Sequence, residues 1–503
     1  MGDKRYMRKK KLIFNTISVL INQITSVVCA FILPRLILKS YGSEVNGLVS
    51  SITQFLGIIT FLDLGVGAVV QSSLYKPLAD KDNDQVSRII SSADKFFKRL
   101  AFIILCYVVV LLFVYPLIVN QSFNVVYTDT LIAAMCISYF AQYFFGLKYQ
   151  LLLIADQKGY VFYIINTLTI IANNIAGVLL IHYGYSIQFV KLATSLFLLV
   201  RPLILEVYVR KNYHIDRKIK YNSEPIKQKW NGVAQHIATV VLNSTDTIVL
   251  TLFSTLANVS IYNVYYLVIN GFNNLIISLT SGFLSLIGNM ISRNEKKLLD
   301  DFFDAFETLF HFGVTFAFGC IMVLIVPFVQ VYTKEIVDIN YNVPMFALLI
   351  TLANMVYCYR LPYNTMIKAA GHYKETQSSA IIEMLINIIV SVFFVSKYGL
   401  IGVSVGTLSA MSYKMIYLVW YLKKNILNRE VIHFIKHMIV NTVCILLMYC
   451  GSKLCTITEY NFWSWILLAI KLGIINFIIC LSCNLIFFKN KISNYKLVLK
   501  KKF

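Results

Sequence analysis

The chain has 503 residues, 58% of them hydrophobic and 14% charged, against about 25% charged in a typical soluble domain. Apolar runs recur from Leu12 to Phe488, and a spanning helix needs about 20 mostly apolar residues. Such runs leave no room for a sizeable soluble domain. A formal net charge of +22 would suit a nucleic-acid binder, but its placement argues otherwise. Of the 46 Lys and Arg, 31 fall in segments assigned to one side of a membrane. Four (Lys39, Lys334, Lys397 and Lys453) fall on the other side, and eleven lie within or at the edges of spans. That is the positive-inside pattern.

In chain order, the hydropathy predicts fourteen transmembrane helices at about 12–38, 45–75, 89–119, 129–154, 160–183, 186–209, 228–253, 258–290, 304–332, 343–368, 376–396, 400–422, 431–453 and 462–488. The first follows a basic start, as a signal peptide would. It is too long for one and lacks a small-x-small cleavage site, so an uncleaved first helix is expected. An even number of spans returns both basic ends, Lys4 to Lys11 and Lys489 to Lys502, to the cytoplasmic side. There they meet anionic headgroups. The loop 210–229 holds seven Lys and Arg and divides the chain. The expected organisation is an N-terminal lobe over 1–209, a basic linker over 210–229, a C-terminal lobe over 230–424, an extra helical pair over 425–488 and a basic tail over 489–503.

The two lobes read as copies. Lys397-Tyr398-Gly399 matches His182-Tyr183-Gly184, Thr407 matches Thr194, Lys414 matches Arg201, and Lys423-Lys424-Asn425 matches Arg210-Lys211-Asn212. The offset is 213 to 215 throughout. Six helices per copy gives both copies the same orientation. The expectation is two six-helix lobes related by a pseudo-two-fold axis along the membrane normal, with helices 13 and 14 outside the repeat. Paired bundles of this kind commonly enclose a transport cavity.

Polar stripes are candidates for lining it. Asn263, Asn270, Asn274, Ser278, Ser281 and Ser285 share one helical face, as do Asn15, Ser18, Asn22 and Ser26 in the first span. A third stripe is Asn166, Thr169, Asn173 and Gly177, and a fourth Gln235, Thr239 and Asp246. Amides and hydroxyls both donate to and accept from sugar hydroxyls; the same groups also join helices to one another. Charges at membrane depth mark function by default. Arg201, Arg360 and Lys414 lie well inside spans, Arg35 follows the kinking Pro34, and Lys471 sits in the last span. Cations at depth suit an anionic substrate, phosphate above all. Asp63, Asp246 and Glu383 are candidates either for a coupling ion or for pairing with those cations, and Asp63, on one face with Thr60, Gly67 and Gln71, is the first choice for the ion.

Other chemistries lack their signatures. Cys480-Leu-Ser-Cys483 has no partner pair and reads as small helix residues. The seven histidines show no ligand spacing, His433 and His437 lacking a Glu partner. There is no Walker motif and no nucleophile–base set. No enzyme activity, metal or organic cofactor is expected.

One stretch is distinctive: Leu33-Pro34-Arg35, Tyr41-Gly42-Ser43-Glu44-Val45-Asn46-Gly47-Leu48, Ser51-Ile52-Thr53-Gln54-Phe55-Leu56, Asp63-Leu64-Gly65-Val66-Gly67 and Leu74-Tyr75-Lys76-Pro77-Leu78-Ala79. It resembles the N-terminal region of the Wzx-type repeat-unit flippases of bacterial polysaccharide biosynthesis. These belong to the superfamily that includes MATE drug exporters and the lipid II flippase MurJ. The likeness covers residues 12–100; beyond them it rests on topology and repeat. It implies a cargo of undecaprenyl-diphosphate-linked oligosaccharide, flipped from the inner to the outer leaflet of the bacterial cell membrane for O-antigen, capsule or exopolysaccharide synthesis. It also implies alternating access, coupling to an H⁺ or Na⁺ gradient, and work beside a polysaccharide polymerase and glycosyltransferases. Arg35, Arg201, Arg360 and Lys414 would then face the diphosphate, with Asn263, Asn270, Asn274 and Ser278 on the glycan. The alternatives are a MATE-like small-molecule exporter, which would want a carboxylate-dominated cavity, and a membrane-embedded glycan polymerase, which would want large loops.

Overall fold

The computed structural model describes residues 2–63, 66–119, 122–216, 219, 233–427, 429–455, 457 and 459–502; side chains are described between 13 and 488, apart from 233–235, 281 and 285. Most of the basic linker therefore lies outside the described residues, as do the side chains of the basic ends and of Gln235, Ser281 and Ser285. Helices account for nearly all of the remainder, with no strand among the described residues.

The chain divides into two compact units, Met1–Ser244 and Thr245–Phe503. In order, the helices of the first are α1 (Gly2–Ile58), α2 (Val66–Asp80), α3 (Asn83–Val119), α4 (Val125–Ala141), α5 (Leu147–Ala155), α6 (Gly159–His182) and α7 (Ile187–Asn212). α8 (Val233–Phe253) carries the division. The second unit continues with α9 (Leu256–Ser292), α10 (Lys296–Tyr332), α11 (Pro344–Tyr359), α12 (Leu361–Ala369), α13 (Gln377–Tyr398), α14 (Leu400–Asn425), α15 (Ile432–Ser452) and α16 (Phe462–Lys502).

Twelve helical stretches among the described residues are long and apolar enough to cross a membrane. The first of them, Ile13–Asp63, holds two crossings. It is interrupted at Gly42, whose φ of 85° suits a residue without Cβ. Hydrogen bonds show that the chain reverses there. Asn15 bonds to Gln157 and Tyr160, Asn22 to Thr167, and Tyr41 to Tyr185, so the first half runs parallel to α6. After Gly42, Ser51 bonds to Tyr115 and Phe55 to Tyr107, so the second half runs antiparallel to α3. α14 supplies the fourteenth crossing. Gly402, Gly406, Ser404, Ser409, Ser412 and Lys414 dilute its apolar content, yet it is among the most buried helices of its unit. The fourteen spans match the expectation.

Apolar side chains cover the outside of the bundles. Phe113, Leu117, Leu168, Leu279, Phe393 and Ile439 are all more than half exposed, which suits hydrocarbon solvent and would be a liability in water. Polar groups turn inward and join helices. Asn273 donates to Asn354 at 2.7 Å, tying α9 to α11, a bond worth about 0.6–2 kcal/mol in lipid. α13 and α14 approach closest where glycine permits. A Cβ on Gly402 would lie 2.5 Å from the Phe394 carbonyl.

Three of the spans are broken in ways hydropathy does not show. The second crossing passes through a 3₁₀ turn at Ile59–Asp63, and α4 and α5 are joined by a π segment at Gln142–Gly146. α11 and α12 meet at Arg360. Pro362 explains the last break, because its ring removes a donor and clashes with the carbonyl one turn back. Breaks inside spanning helices are tolerated where neighbouring protein satisfies the freed backbone.

Candidate functional site

Two of these breaks carry the polar groups of interest. In the first unit, Arg201 of α7 donates from Nη1 to Asn166 Oδ1 of α6 at 2.7 Å. Its Nη2 donates to Gln142 Oε1, the first residue of the π segment, at 3.4 Å. Both acceptors are neutral. Among the described residues Arg201 forms no ion pair, so its full positive charge stays at membrane depth.

The second unit repeats the arrangement with more charge. Lys414 of α14 donates to Ser379 Oγ of α13 at 2.7 Å. Arg360, at the α11–α12 break, is ion-paired with Glu383 of α13 and lies 4.6 Å over the Tyr357 ring. Arg360 is 7% exposed, Lys414 5% and Glu383 4%. Lys368 of α12 lies close enough to repel Lys414. Two buried cations, with the half-buried Lys368 close by, therefore share one buried carboxylate. Uncompensated charge costs several kcal/mol to bury, and an arriving anion would offset it through charge-assisted hydrogen bonds.

Asp246 of α8 is a buried carboxylate that pairs with no cation among the described residues. It is 4% exposed. Thr407 Oγ1 lies 2.9 and 2.7 Å from its two oxygens, Tyr262 OH donates at 3.0 Å, and Asn387 Nδ2 reaches it at 3.4 Å. The Asn387 Oδ1 is buried with no hydrogen-bond partner. Beside them, Ser391 Oγ lies 3.4 Å from the Val403 carbonyl. Hydroxyls from α9 and α14 and an amide N–H from α13 thus converge on the one carboxylate of α8, a charge that a proton or a small cation could answer. Glu383, by contrast, is committed to Arg360. Asp63 ends the 3₁₀ turn of the second crossing, half-buried, with its Oδ1 buried and unpartnered.

The polar stripes divide into two kinds. Asn15 and Asn22 are spent on the α1–α6 seam, which is helix–helix joining. On α9, Asn270, Asn274 and Ser278 are exposed. Asn263 bonds within its own helix to the Val259 carbonyl. Arg35 is half-buried on α1, two turns before Gly42, and Lys471 is exposed on α16.

No protein-family model matches the sequence, and no curated protein matches it. Solved structures do. The lipid II flippase MurJ in an inward closed conformation superposes with a TM-score of 0.71 at 18% identity, covering 95% of this chain and all of that one. The chain has the fold of the MurJ and MATE transporters. A multidrug resistance MATE transporter of the MOP superfamily, inward-facing, gives 0.62 at 15% identity over 80% of this chain and 96% of its own. A MOP superfamily transporter from Pyrococcus furiosus, whose binding pocket is described as reversed in polarity, gives 0.53 at 14% over 83% and 97%. MurJ thus covers about 75 residues more of this chain than that MATE structure does, the size of a helical pair. Its apolar crossings and this fold make the chain a multi-pass membrane protein.

Sequence reasoning missed Lys368, Ser379 and Asn387. The internal repeat could have found Ser379, since it stands 213 residues after Asn166 as Lys414 stands after Arg201. It also missed a buried group around Glu307 and His311.

Proposed function

We propose that the protein flips an undecaprenyl-diphosphate-linked oligosaccharide from the inner to the outer leaflet of a bacterial cell membrane, for cell-surface polysaccharide synthesis, by alternating access. Both termini lie in the cytoplasm on this reading. The observation that carries it is the surplus of positive charge at the buried Arg360 and Lys414 and the half-buried Lys368, near the carboxylate of Glu383. A diphosphate is the anion a lipid carrier presents at membrane depth. Arg201 and Arg35 offer further cations, and the exposed Asn270, Asn274 and Ser278, with Asn263, offer amides and hydroxyls to the glycan. Asp246 takes the coupling ion, H⁺ or Na⁺. Asp63 is a secondary candidate, and Glu383 serves to hold Arg360. A polysaccharide polymerase and glycosyltransferases are the expected partners. The fold shared with MurJ supports the reading.

The test is reconstitution in liposomes with a labelled lipid-diphosphate oligosaccharide, scored by its accessibility in the opposite leaflet. Translocation should exceed that of empty vesicles and should collapse when Arg201 and Lys414 are neutralised together. Rates equal to empty vesicles under every ion gradient would overturn the flippase reading. Undiminished flipping by the double variant would remove those two residues from the site.

A further inference from the structure

The first unit holds a cavity that the function proposed above does not use. Its volume is about 240 Å³, and α3, α5, α7 and the short segment after α7 line it. A hydrogen bond from the Asp216 amide to Ser87 Oγ at 3.1 Å ties that segment back to α3. A water needs about 10–15 Å³ of cavity, so this one takes a group of several heavy atoms.

Its wall is mostly cationic where it is charged. Lys98 of α3, Lys148 of α5 and Arg210 of α7 stand round it with one carboxylate, Asp94 of α3. Both oxygens of Asp94 are engaged, Oδ1 with Lys148 and Oδ2 with Lys98 at 2.8 Å. The carboxylate therefore fixes the two ammoniums side by side. Lys148 is buried and also lies over the Tyr149 ring at 4.9 Å, so it belongs to the back of the cavity. Lys98 is half-buried and Arg210 exposed, which makes them the accessible pair. An ammonium carries three N–H donors and a guanidinium five. Lys98 spends one on Asp94, and Arg210 spends one on Glu206, which lies outside the lining. Their other N–H groups make no hydrogen bond to the described residues. Ser91, on the same face of α3 as Asp94 and Lys98, adds a hydroxyl to the wall, also without a partner among the described residues.

Depth decides what kind of ligand reaches these donors. Residues 100–119 of α3 carry no charge, which is the length of one crossing, and Lys98 stands just outside that run. The cavity thus lies where hydrocarbon gives way to headgroups. Below each accessible cation the surface turns apolar. Phe102, one turn from Lys98 along α3, is exposed, and its ring meets that of Phe144, over which Lys98 lies at 5.4 Å. Val207 and Leu203, one and two turns from Arg210 along α7, are exposed as well. A soluble anion needs only the cations. A phosphate that continues into acyl chains needs apolar surface beneath them, and both stand here together.

We propose that this cavity seats the phosphate of an anionic membrane phospholipid, held by Lys98, Arg210 and Ser91, with its acyl chains along Phe102 and Val207. Charge-assisted hydrogen bonds hold the phosphate, and basic pockets between transmembrane helices are known seats for such headgroups. The bound lipid bridges α3 to α7. The site is independent of what the protein transports.

The test is native mass spectrometry of the full-length protein in detergent, titrated separately with phosphatidylglycerol, phosphatidylcholine and inorganic phosphate. The expected result is one phosphatidylglycerol bound more tightly than phosphatidylcholine, at concentrations where inorganic phosphate is not retained. Lys98→Gln combined with Arg210→Gln should weaken it about tenfold or more, the effect of losing charged hydrogen bonds. Should that double variant fail to fold, Arg210→Gln alone, at an exposed position, should weaken binding in the same direction by less. Lys98→Arg combined with Arg210→Lys should keep most of the affinity. Lys211→Gln, which removes an exposed charge beside Arg210 but outside the lining, should bind as the parent does. Phosphatidylglycerol held equally by the glutamine variants, or lost equally in Lys211→Gln, would overturn the proposal. So would inorganic phosphate retained as tightly as the lipid, which would make the ligand a soluble anion. Undecaprenyl diphosphate that binds more tightly than phosphatidylglycerol, with the same dependence on Lys98 and Arg210, would overturn it in favour of the transported carrier.

Discussion

Lys414 donates to Ser379 at 2.7 Å across 35 residues of chain, and Arg201 donates to Asn166 at the same distance across the same 35 residues. The internal repeat thus preserves an interaction as well as a residue type. A cation on the sixth helix of each copy is held by a neutral group on the fifth, which fixes its position without cancelling its charge. Replacing either cation by glutamine keeps a donor for the same partner and removes the charge. Lys414→Gln and Arg201→Gln should therefore fold as the parent does, while losing about 1.5–3 kcal/mol of charged hydrogen bonding to a diphosphate, or roughly tenfold to a hundredfold in its apparent affinity. Binding of a lipid diphosphate to the detergent-solubilised variants measures this, and unaltered affinity in both would separate the cations from the cargo.

Arg360 behaves differently because its charge is already answered. Glu383→Gln leaves a guanidinium buried without its carboxylate, and breaking one side of a buried pair costs about 3–5 kcal/mol. The variant should unfold at a clearly lower temperature than the parent. The double variant Arg360→Gln with Glu383→Gln should recover most of that loss, since no buried charge is left stranded. Thermal unfolding of the three proteins in one detergent decides it. A double variant no more stable than Glu383→Gln alone would mean that the pair does not hold α12 to α13.

The fourteen crossings were legible because each requires some twenty apolar residues in a row, a demand that the sequence meets plainly. The repeat was legible because Arg201 and Lys414 kept their distance from Thr194 and Thr407. The breaks at Ile59–Asp63, Gln142–Gly146 and Arg360 were hidden, because they change hydrogen-bond register without changing hydropathy. Partners were hidden too. Spacing assigns a side chain to a face and says nothing of what stands opposite. Asn15 and Asn22, read as a possible cavity lining, meet α6. His437, considered with its neighbour His433, finds His311 more than a hundred residues earlier. Of the three carboxylates the sequence favours Asp63 for an ion, because it shares a face with Thr60, Gly67 and Gln71; in the structure Glu383 is paired, and Asp246 is surrounded by neutral donors.

That difference sets Asp246 apart for the coupling ion. Asp246→Asn keeps the size and can still accept from Thr407 and Tyr262, so the protein should fold with little change in unfolding temperature. Without the negative charge it should neither take up a proton nor hold a cation. Transport driven by an ion gradient should then fall to the rate seen with no gradient, whereas Glu383→Gln, where it folds, should keep its gradient dependence. Flux measured with and without Na⁺ and pH gradients separates the two, and a gradient response that survives in Asp246→Asn would assign coupling elsewhere.

Close helix contact beneath Asp246 gives the last expectation. A Cβ on Gly406 would overlap Ser391 Oγ and stand 2.8 Å from the Ser391 nitrogen and 3.1 Å from the Asn387 carbonyl. Two of these neighbours are backbone and cannot rotate away, so Gly406→Ala must spread α13 from α14. Overpacking of this kind costs about 1–3 kcal/mol. The spread displaces Asn387, which reaches the Asp246 carboxylate at 3.4 Å, so ion dependence should weaken along with stability. Gly271 of α9 is the control: nothing lies within 4 Å of where its Cβ would point. Gly271→Ala should be neutral or stabilising by up to about 1 kcal/mol, the helix preference of alanine over glycine. Equal unfolding temperatures for the two alanine variants would show that the α13–α14 approach is not under steric constraint at Gly406.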